Sequence, residues 1–200
     1  MRKKALRMGL IGIGMVVLIL ACSTERSLAG EDDFYFREGT RLLKLAKPAP
    51  AAEVLTEAIR LAPFRVEAYN NRGLAYFEQK KYQEAKQDFL TAVRLAPFDK
   101  EANNNLGVLF CSLEDYDRAL RYLHRAIEKG GIATAYDMTV YRNLAFAYRK
   151  KGMTGKAAEA DKIALAIQHT VSGNVDLRPY GERSVEYSLS LEFPREANTE

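Results

Sequence analysis

The residue types that most often carry catalysis or bind metals are scarce in this chain. Histidine occurs only at His124 and His169, and cysteine only at Cys22 and Cys111. His124 and Glu128 have a spacing that places both on one face of a helix, but no HExxH motif or third ligand accompanies them. No nucleophile elbow or phosphate-binding glycine loop is present either. We therefore predict a solvated surface histidine at position 124, and no catalytic residue, metal site or cofactor.

Cys22 follows a segment with the charge and hydropathy pattern of an export signal. Four basic residues between positions 2 and 7 precede an apolar stretch of 14 residues, Met8 to Ala21. A membrane-spanning helix needs about 20 apolar residues, whereas a signal-peptide core needs about 7–15. The length favours a signal peptide over residues 1–21, with an uncleaved membrane anchor as the alternative.

The sequence Leu18-Ile-Leu-Ala-Cys22 resembles the lipobox of bacterial lipoproteins. The resemblance implies a diacylglyceryl group on Cys22, cleavage after Ala21 and acylation of the new amino terminus. More than one acyl chain gives stable membrane anchoring. Ser23 stands where lipoproteins retained in the inner membrane of enteric bacteria often carry Asp, so the resemblance implies the outer membrane, on its periplasmic face. Residues 22–31 then form a short lipidated tether.

The second cysteine, Cys111, has no cysteine within the chain to pair with once Cys22 is acylated. Two cysteines are also too few for a thiolate metal site. We therefore predict that Cys111 is a small residue packed between helices.

Charge and composition exclude two classes of protein. The formal net charge is +4, but the four basic residues of the leader account for it, since 26 basic and 26 acidic residues remain without them. A nucleic-acid-binding role therefore loses its main electrostatic support. The chain is 48% hydrophobic and 28% charged, a globular composition that excludes a mostly disordered protein.

A repeat of 34 residues covers the middle of the chain. The segment Ala58-Ile-Arg-Leu-Ala-Pro-Phe64 returns as Ala92-Val-Arg-Leu-Ala-Pro-Phe98. Small residues recur in register at three places: Gly39, Gly73, Gly107 and Ala145; Ala51, Ala85, Ala119 and Ala157; and Ala58, Ala92, Ala126 and Ala164. Small side chains at fixed positions allow paired helices to approach closely. The proline that closes the first two units ends a helix and turns the chain.

This pattern resembles the tetratricopeptide repeat. The resemblance implies an all-α superhelix of about four helix-turn-helix units, at residues 32–65, 66–99, 100–133 and 138–171. Departures occur at Pro48 and Pro50, which are tolerated near a helix start, and at Asp161, a polar residue suited to a terminal repeat facing water. Four residues, Thr134 to Asp137, precede the last unit, so we predict a bent or frayed junction there.

The first helix of each unit is expected to line a concave face that binds a partner segment. Asparagine amides suit a peptide backbone because they both donate and accept hydrogen bonds. The predicted partner-binding residues are Asn70, Asn71, Leu74, Phe77, Asn104, Asn105, Val108, Arg142, Asn143 and Phe146. The alternative is that these asparagines are consensus capping or helix-contact residues.

The predicted function is a lipid-anchored periplasmic scaffold or adaptor that binds a protein or peptide, with no nucleic acid and no small-molecule substrate. Two kinds of lipoprotein resemble it, the pilotin-like assembly factors of type IV pili or secretion secretins and the adaptors of cell-wall hydrolases. An enzyme with chemistry hidden in the tail is the contrasting hypothesis. That tail, residues 172–200, alternates polar and apolar residues from Val185 to Phe193. The alternation is consistent with a strand, an extended cover over the last repeat, or a disordered segment.

Overall fold

The computed structural model describes residues 30–127 and 134–173, with side chains through residue 170. The predicted signal peptide, Cys22 and the alternating tail lie outside the described residues. Within them the chain forms eight helices: α1 (30–44), α2 (Pro48–Leu61), α3 (Val66–Glu78), α4 (Tyr82–Leu95), α5 (Lys100–Ser112), α6 (Tyr116–Ile127), α7 (Ala135–Lys150) and α8 (Thr154–Gly173). No strand occurs in these two ranges, so the predicted all-α architecture of helix-turn-helix repeats is confirmed.

Each helix pair is joined by a turn of the same geometry. The second residue after the first helix has a positive φ in every pair, at Ala46 (52°), Lys80 (60°), Glu114 (58°) and Gly152 (75°). In the second pair, Lys81 N donates to Tyr76 O at 2.9 Å and Lys80 N donates to Phe77 O at 2.9 Å. These two bonds are those of a Schellman motif, which satisfies the last carbonyls of the helix. The tight turn makes the two helices of each pair antiparallel neighbours.

The small residues that define the repeat lie where helices touch. Gly73 in α3 faces Phe89 in α4, and a Cβ atom built on Gly73 would lie 2.6 Å from Cε1 of that ring. Gly39 and Gly107 face Leu55 and Leu123 in the same way, at 2.5 and 2.6 Å. The recurring alanines of the second helices are all buried, none more than 3% exposed. The small residues that recur every 34 positions are therefore those at the contacts between helices.

We expect Gly73→Ala to lower the free energy of unfolding by about 1–2 kcal/mol, because overpacking a filled core outweighs the better helix propensity of alanine. Phe89 is fully buried and has little room to move away from the added methyl group. The measurement is chemical denaturation followed by circular dichroism.

Gly155→Ala in α8 is the matched control, since nothing lies within 4 Å of a Cβ at that position. It should stabilise the protein by up to about 1 kcal/mol. Introducing Gly73→Ala into a Phe89→Ala background should cost little. Equal losses in both backgrounds would refute the contact.

The array curves with its first helices on the inside. Helix α3 contacts α5, and α5 contacts α7, whereas none of the second helices α2, α4, α6 and α8 contacts another second helix among the described residues. Between successive repeats of the described chain, first helices contact first helices, whereas second helices do not contact second helices. The first helices therefore form the inner face of the array. The inner face is defined here as the surface formed by α3, α5 and α7.

The junction before the last pair differs from its prediction. Residues 135–137 form the first turn of α7 rather than a separate insertion. The Thr134 hydroxyl accepts a hydrogen bond from Asp137 N, and the Asp137 carboxylate accepts one from Thr134 N, so the helix starts with a capping box. Lys100 Nζ lies 2.9 Å from Asp137 Oδ1 and ties this start to α5. The expectation of fraying at Thr134 to Asp137 is therefore wrong, whereas the expected bend stays a prediction, because residues 128–133 of this junction lie outside the described residues.

Two other boundaries in the structure differ from those predicted from the sequence. Residues 30 and 31, placed in the tether by the sequence, belong to α1, and residues 172 and 173, placed in the tail, belong to α8. Helical hydrogen bonding continues wherever the next residue keeps a helical backbone, so a composition change alone does not end a helix.

Asp161 is half-buried, and its carboxylate lies 2.6 Å from Arg149 Nη1 on α7.

Candidate functional site

Most of the predicted partner-binding residues are in the interior of the array. Seven of the ten are buried, none more than 4% exposed: Asn70, Asn71, Leu74, Asn104, Asn105, Val108 and Asn143. The expectation that they are accessible to a partner on the concave surface is wrong. Phe77, Arg142 and Phe146 are half-buried, and their contact with a partner stays a prediction.

The buried asparagines hydrogen-bond to one another across repeats. Asn105 Nδ2 on α5 donates to Asn70 Oδ1 on α3 at 3.0 Å. Asn143 Nδ2 on α7 donates to Asn104 Oδ1 at 2.8 Å. Asn104 Nδ2 in turn donates to Asn105 Oδ1 at 3.3 Å, so one chain of amides links α3, α5 and α7. We call these four residues the asparagine ladder.

A similar contact joins the first two repeats. Asn71 Nδ2 donates to the Thr40 hydroxyl at 2.9 Å, and that hydroxyl donates to Phe36 O at 2.8 Å. An amide suits such positions because it is both donor and acceptor, and a buried polar group without partners destabilises a fold. These asparagines therefore hold successive first helices in register, which agrees with the helix-contact alternative raised by the sequence.

The three predicted binding residues that remain partly accessible are aromatic or basic. The Phe77 ring lies 5.5 Å from that of Tyr82, and Lys150 Nζ lies 5.3 Å from the centre of the Phe146 ring. Arg142 Nη2 donates to Gln168 Oε1 at 3.2 Å. An arrangement of partly exposed rings beside a guanidinium can bind a segment that offers apolar and acidic or carbonyl groups.

A buried ion pair lies on the other side of α3. Arg72 makes two hydrogen bonds of 2.8 Å to the carboxylate of Asp88 on α4, and Arg72 Nη1 donates to Thr56 Oγ1 on α2 at 3.1 Å. Burial raises the pKa of Asp88, and the hydrogen bonds and charge of Arg72 offset only part of that rise. The guanidinium stays charged at ordinary pH, and burial removes hydration from both partners of the pair. Sequence reasoning missed this pair, because its two residues lie 16 positions apart on different helices.

The cysteine and the two histidines considered for catalysis or metal binding have environments that require no chemical role. Cys111 is 4% exposed, and burial raises its pKa to about 12. The predicted packing role is confirmed. His124 is exposed, as predicted, and its Nε2 lies 2.7 Å from the Tyr148 hydroxyl. His169 is exposed near the end of the described side chains. Residues 30–127 and 134–173 contain no group of three or more His, Cys, Asp or Glu side chains able to hold a metal ion.

The part of the chain that the structure describes contains no helix with both the length and the hydropathy needed to cross a membrane. That finding covers α1 to α8 and leaves the apolar stretch before Cys22 outside it.

Comparison with known proteins agrees with the observed helix pairs. The model of the tetratricopeptide repeat matches residues 36–100 and 81–131. No curated protein sequence is significantly similar to the chain. Proteins of this repeat family are typically interaction scaffolds rather than catalysts.

Solved structures share the fold at low sequence identity. A crystal structure of MamA has a TM-score of 0.63 at 22% identity, covering 76% of this chain and 86% of that one. PilF of Pseudomonas aeruginosa has a TM-score of 0.66 at 17% identity, covering 70% of this chain and 63% of that one. PilW, described as a widely conserved type IV pilus biogenesis factor, has a TM-score of 0.63 at 21% identity, covering 68% of this chain and 62% of that one. The chain thus spans less than two thirds of the PilF and PilW structures.

The stacked helix pairs, the small residues recurring every 34 positions and the match to the repeat model lead to one conclusion. This chain contains tetratricopeptide repeats, which the family model matches over residues 36–131.

Proposed function

We propose that this protein is a lipid-anchored scaffold at the periplasmic face of the outer membrane, where its inner face binds a segment of a partner protein. The observation that carries the binding role is the array itself, in which α5 contacts both α3 and α7 and the half-buried Phe77 and Phe146 lie on the two flanking first helices. Curved repeat arrays use such extended surfaces to bind partners.

The support for the anchor is in the sequence. The basic residues, the 14-residue apolar stretch and the resemblance to a lipobox at Cys22 occur in that order. Two or more acyl chains at one residue hold a protein stably at a bilayer. By the same resemblance, Ser23 supports the outer membrane as the location of the protein.

The inner face favours an extended or helical segment as the ligand. Because the asparagine ladder is buried, the predicted binding residues that can contact a ligand directly are the half-buried Phe77, Arg142 and Phe146. Phe77 and Phe146 lie on the first helices of the second and fourth repeats, so a ligand that contacts both must cross the third. Such a ligand needs apolar side chains for the rings and a carbonyl or carboxylate group for the guanidinium.

Photo-crosslinking in intact cells tests this role. A benzophenone-bearing phenylalanine replaces Phe77 or Phe146 in turn, and Gln87, exposed on α4, serves as the matched control. We expect a discrete crosslinked product from the two inner-face positions and none from position 87. Crosslinking at position 87 alone, or at none of the three positions, would contradict binding at the inner face.

Thiol titration of the membrane-extracted protein checks the anchor. The Cys111 thiol should not react at pH 8 while the protein is folded, because it is buried and has a pKa of about 12. After denaturation we expect one thiol per chain, since the proposed acylation blocks Cys22. Two thiols per denatured chain would show that Cys22 is unmodified.

A second candidate function is assembly of a type IV pilus or secretion secretin. It is supported by the fold shared with PilW, described as a pilus biogenesis factor, and with PilF. If it holds, cells lacking this protein should lose secretin multimers from the outer membrane, and the wild-type chain should restore them. Unchanged multimers would remove this candidate and leave the general scaffold role in place.

A further inference from the structure

Three exposed phenylalanines lie along one edge of the array. Phe34, Phe64 and Phe98 are 63%, 80% and 56% exposed, and every other described phenylalanine is buried or half-buried. Phe34 is in the first turns of α1, while Phe64 and Phe98 are in the turns that lead from α2 to α3 and from α4 to α5. Since the helices of each pair are antiparallel, the start of α1 and these two turns lie at the same edge. We call it the phenylalanine edge.

The two turns hold their rings in equivalent positions. Each carries an Ala-Pro-Phe sequence, and each is closed by a backbone hydrogen bond, Arg65 N to Ala62 O at 3.1 Å and Asp99 N to Ala96 O at 3.0 Å. The rings therefore project from ordered backbone and need little further ordering to bind.

Arg65 fixes the first of these turns to the start of α1. Its guanidinium contacts the Asp32 and Asp33 carboxylates at 3.0 Å each and lies 4.3 Å from the centre of the Phe36 ring. Arg37 Nε contacts Asp33 at 2.7 Å as well. The Asp32 and Asp33 carboxylates beside Phe34 are thus each paired with a guanidinium group, which lowers the electrostatic cost of bringing this part of the edge to a lipid headgroup layer.

The chain enters the described fold at the phenylalanine edge. Residue 30 begins α1 only four positions before Phe34. Cys22 precedes residue 30 by eight positions, a distance of at most about 28 Å for an extended chain. Helix α1 then carries the chain roughly 21 Å toward the opposite edge at 1.5 Å per residue. Because the tether joins the fold at the phenylalanine edge, an acylated Cys22 favours this edge over the opposite one as the side nearer to the bilayer.

We propose that the phenylalanine edge lies on the lipid surface, with Phe34, Phe64 and Phe98 in the interfacial layer. The proposal rests on the lipid anchor at Cys22 put forward above, and it adds an orientation that an anchor alone does not supply. Exposed apolar patches mark contact surfaces, and aromatic side chains are common in segments that lie in a membrane interface.

Tryptophan fluorescence can test the orientation, because the natural chain contains no tryptophan. The full-length acylated protein is reconstituted into phosphatidylcholine–phosphatidylethanolamine vesicles with or without brominated acyl chains. Phe64→Trp and Phe98→Trp report on the phenylalanine edge. Leu45→Trp and Leu113→Trp are the matched controls, since these residues are 51% and 37% exposed in the turns at the opposite edge.

We expect brominated lipid to quench roughly half of the emission at positions 64 and 98, because interfacial side chains reach about 5–10 Å into the headgroup and acyl boundary. Emission at positions 45 and 113 should not change. Equal quenching at all four positions, or none at any, in protein that floats with the vesicles would overturn the orientation and leave the anchor intact.

Protein that does not float would refute the anchor and the orientation together. A blue shift at positions 64 and 98 that needs an added protein, and not lipid, would also overturn the proposal, since the edge would then bind a partner chain.

Discussion

Asp88→Ala is expected to lower the free energy of unfolding by about 3–5 kcal/mol, because it leaves the Arg72 guanidinium without its buried counter-charge. The Asp88 side chain is 7% exposed and that of Arg72 is 18% exposed, so water replaces little of the lost interaction. Arg72 also donates to Thr56 on α2, which means that the loss loosens the contact between the first and second repeats. A loss of this size is a large part of the 5–15 kcal/mol that typically stabilises a domain.

The double variant Arg72→Met/Asp88→Leu separates two quantities: the net contribution of the ion pair to the free energy of unfolding, and the cost of leaving one buried charge without its partner. Replacing a buried ion pair by apolar residues of similar volume is often neutral or stabilising. Because burial already raises the pKa of Asp88, we expect the double variant to be close to wild type. Chemical denaturation of the two variants gives the comparison. A double variant as unstable as Asp88→Ala would show that the pair itself stabilises the fold.

Asn105→Ala is expected to cost about 2–5 kcal/mol, since it removes one buried hydrogen bond to α3 and another within α5. Asn105 donates to Asn70 and accepts from Asn104, and none of the three is more than 2% exposed. Native-state hydrogen exchange should show faster opening of α3 and α5.

The matched control is Gln87→Ala, which removes an exposed amide from α4 and should change stability by less than about 0.5 kcal/mol. If Asn105→Ala instead unfolds like wild type and only weakens partner crosslinking, the residue is a ligand contact after all. The asparagine ladder would then have no part in stability.

The repeat architecture was predictable because its signal is local and periodic. Gly73 must be small wherever Phe89 packs against it, and the same requirement returns 34 residues later at Gly107 and Leu123. Such a pattern specifies which helices pair, and the structure confirms the pairs.

The environment of the asparagines was not predictable in the same way. Helical spacing places Asn70 and Asn104 on the inner side of their helices, but it does not say how closely the next first helix approaches. Burial of both follows from the contacts of α5 with α3 and α7, which depend on the curvature of the whole array. Adjacent asparagines at the same place in two successive repeats, as in Asn70-Asn71 and Asn104-Asn105, were the available sign of a hydrogen-bonded ladder.

The exposed phenylalanines show a related limit. The sequence reveals Phe64 and Phe98 as repeated residues after a proline, a position equally compatible with packing and with exposure. Their high exposure becomes clear only once the turns are built, because each turn directs its ring away from the helices.

The modification of Cys22 is the claim on which the location and the membrane orientation both depend. Intact-mass spectrometry of the protein extracted from membranes in detergent tests it directly. We predict a chain that begins at Cys22 and carries a diacylglyceryl group on sulfur and an acyl group on its amino terminus. A mass matching the unprocessed 22.5 kDa chain, or a chain that begins at Cys22 without lipid, would contradict the anchor.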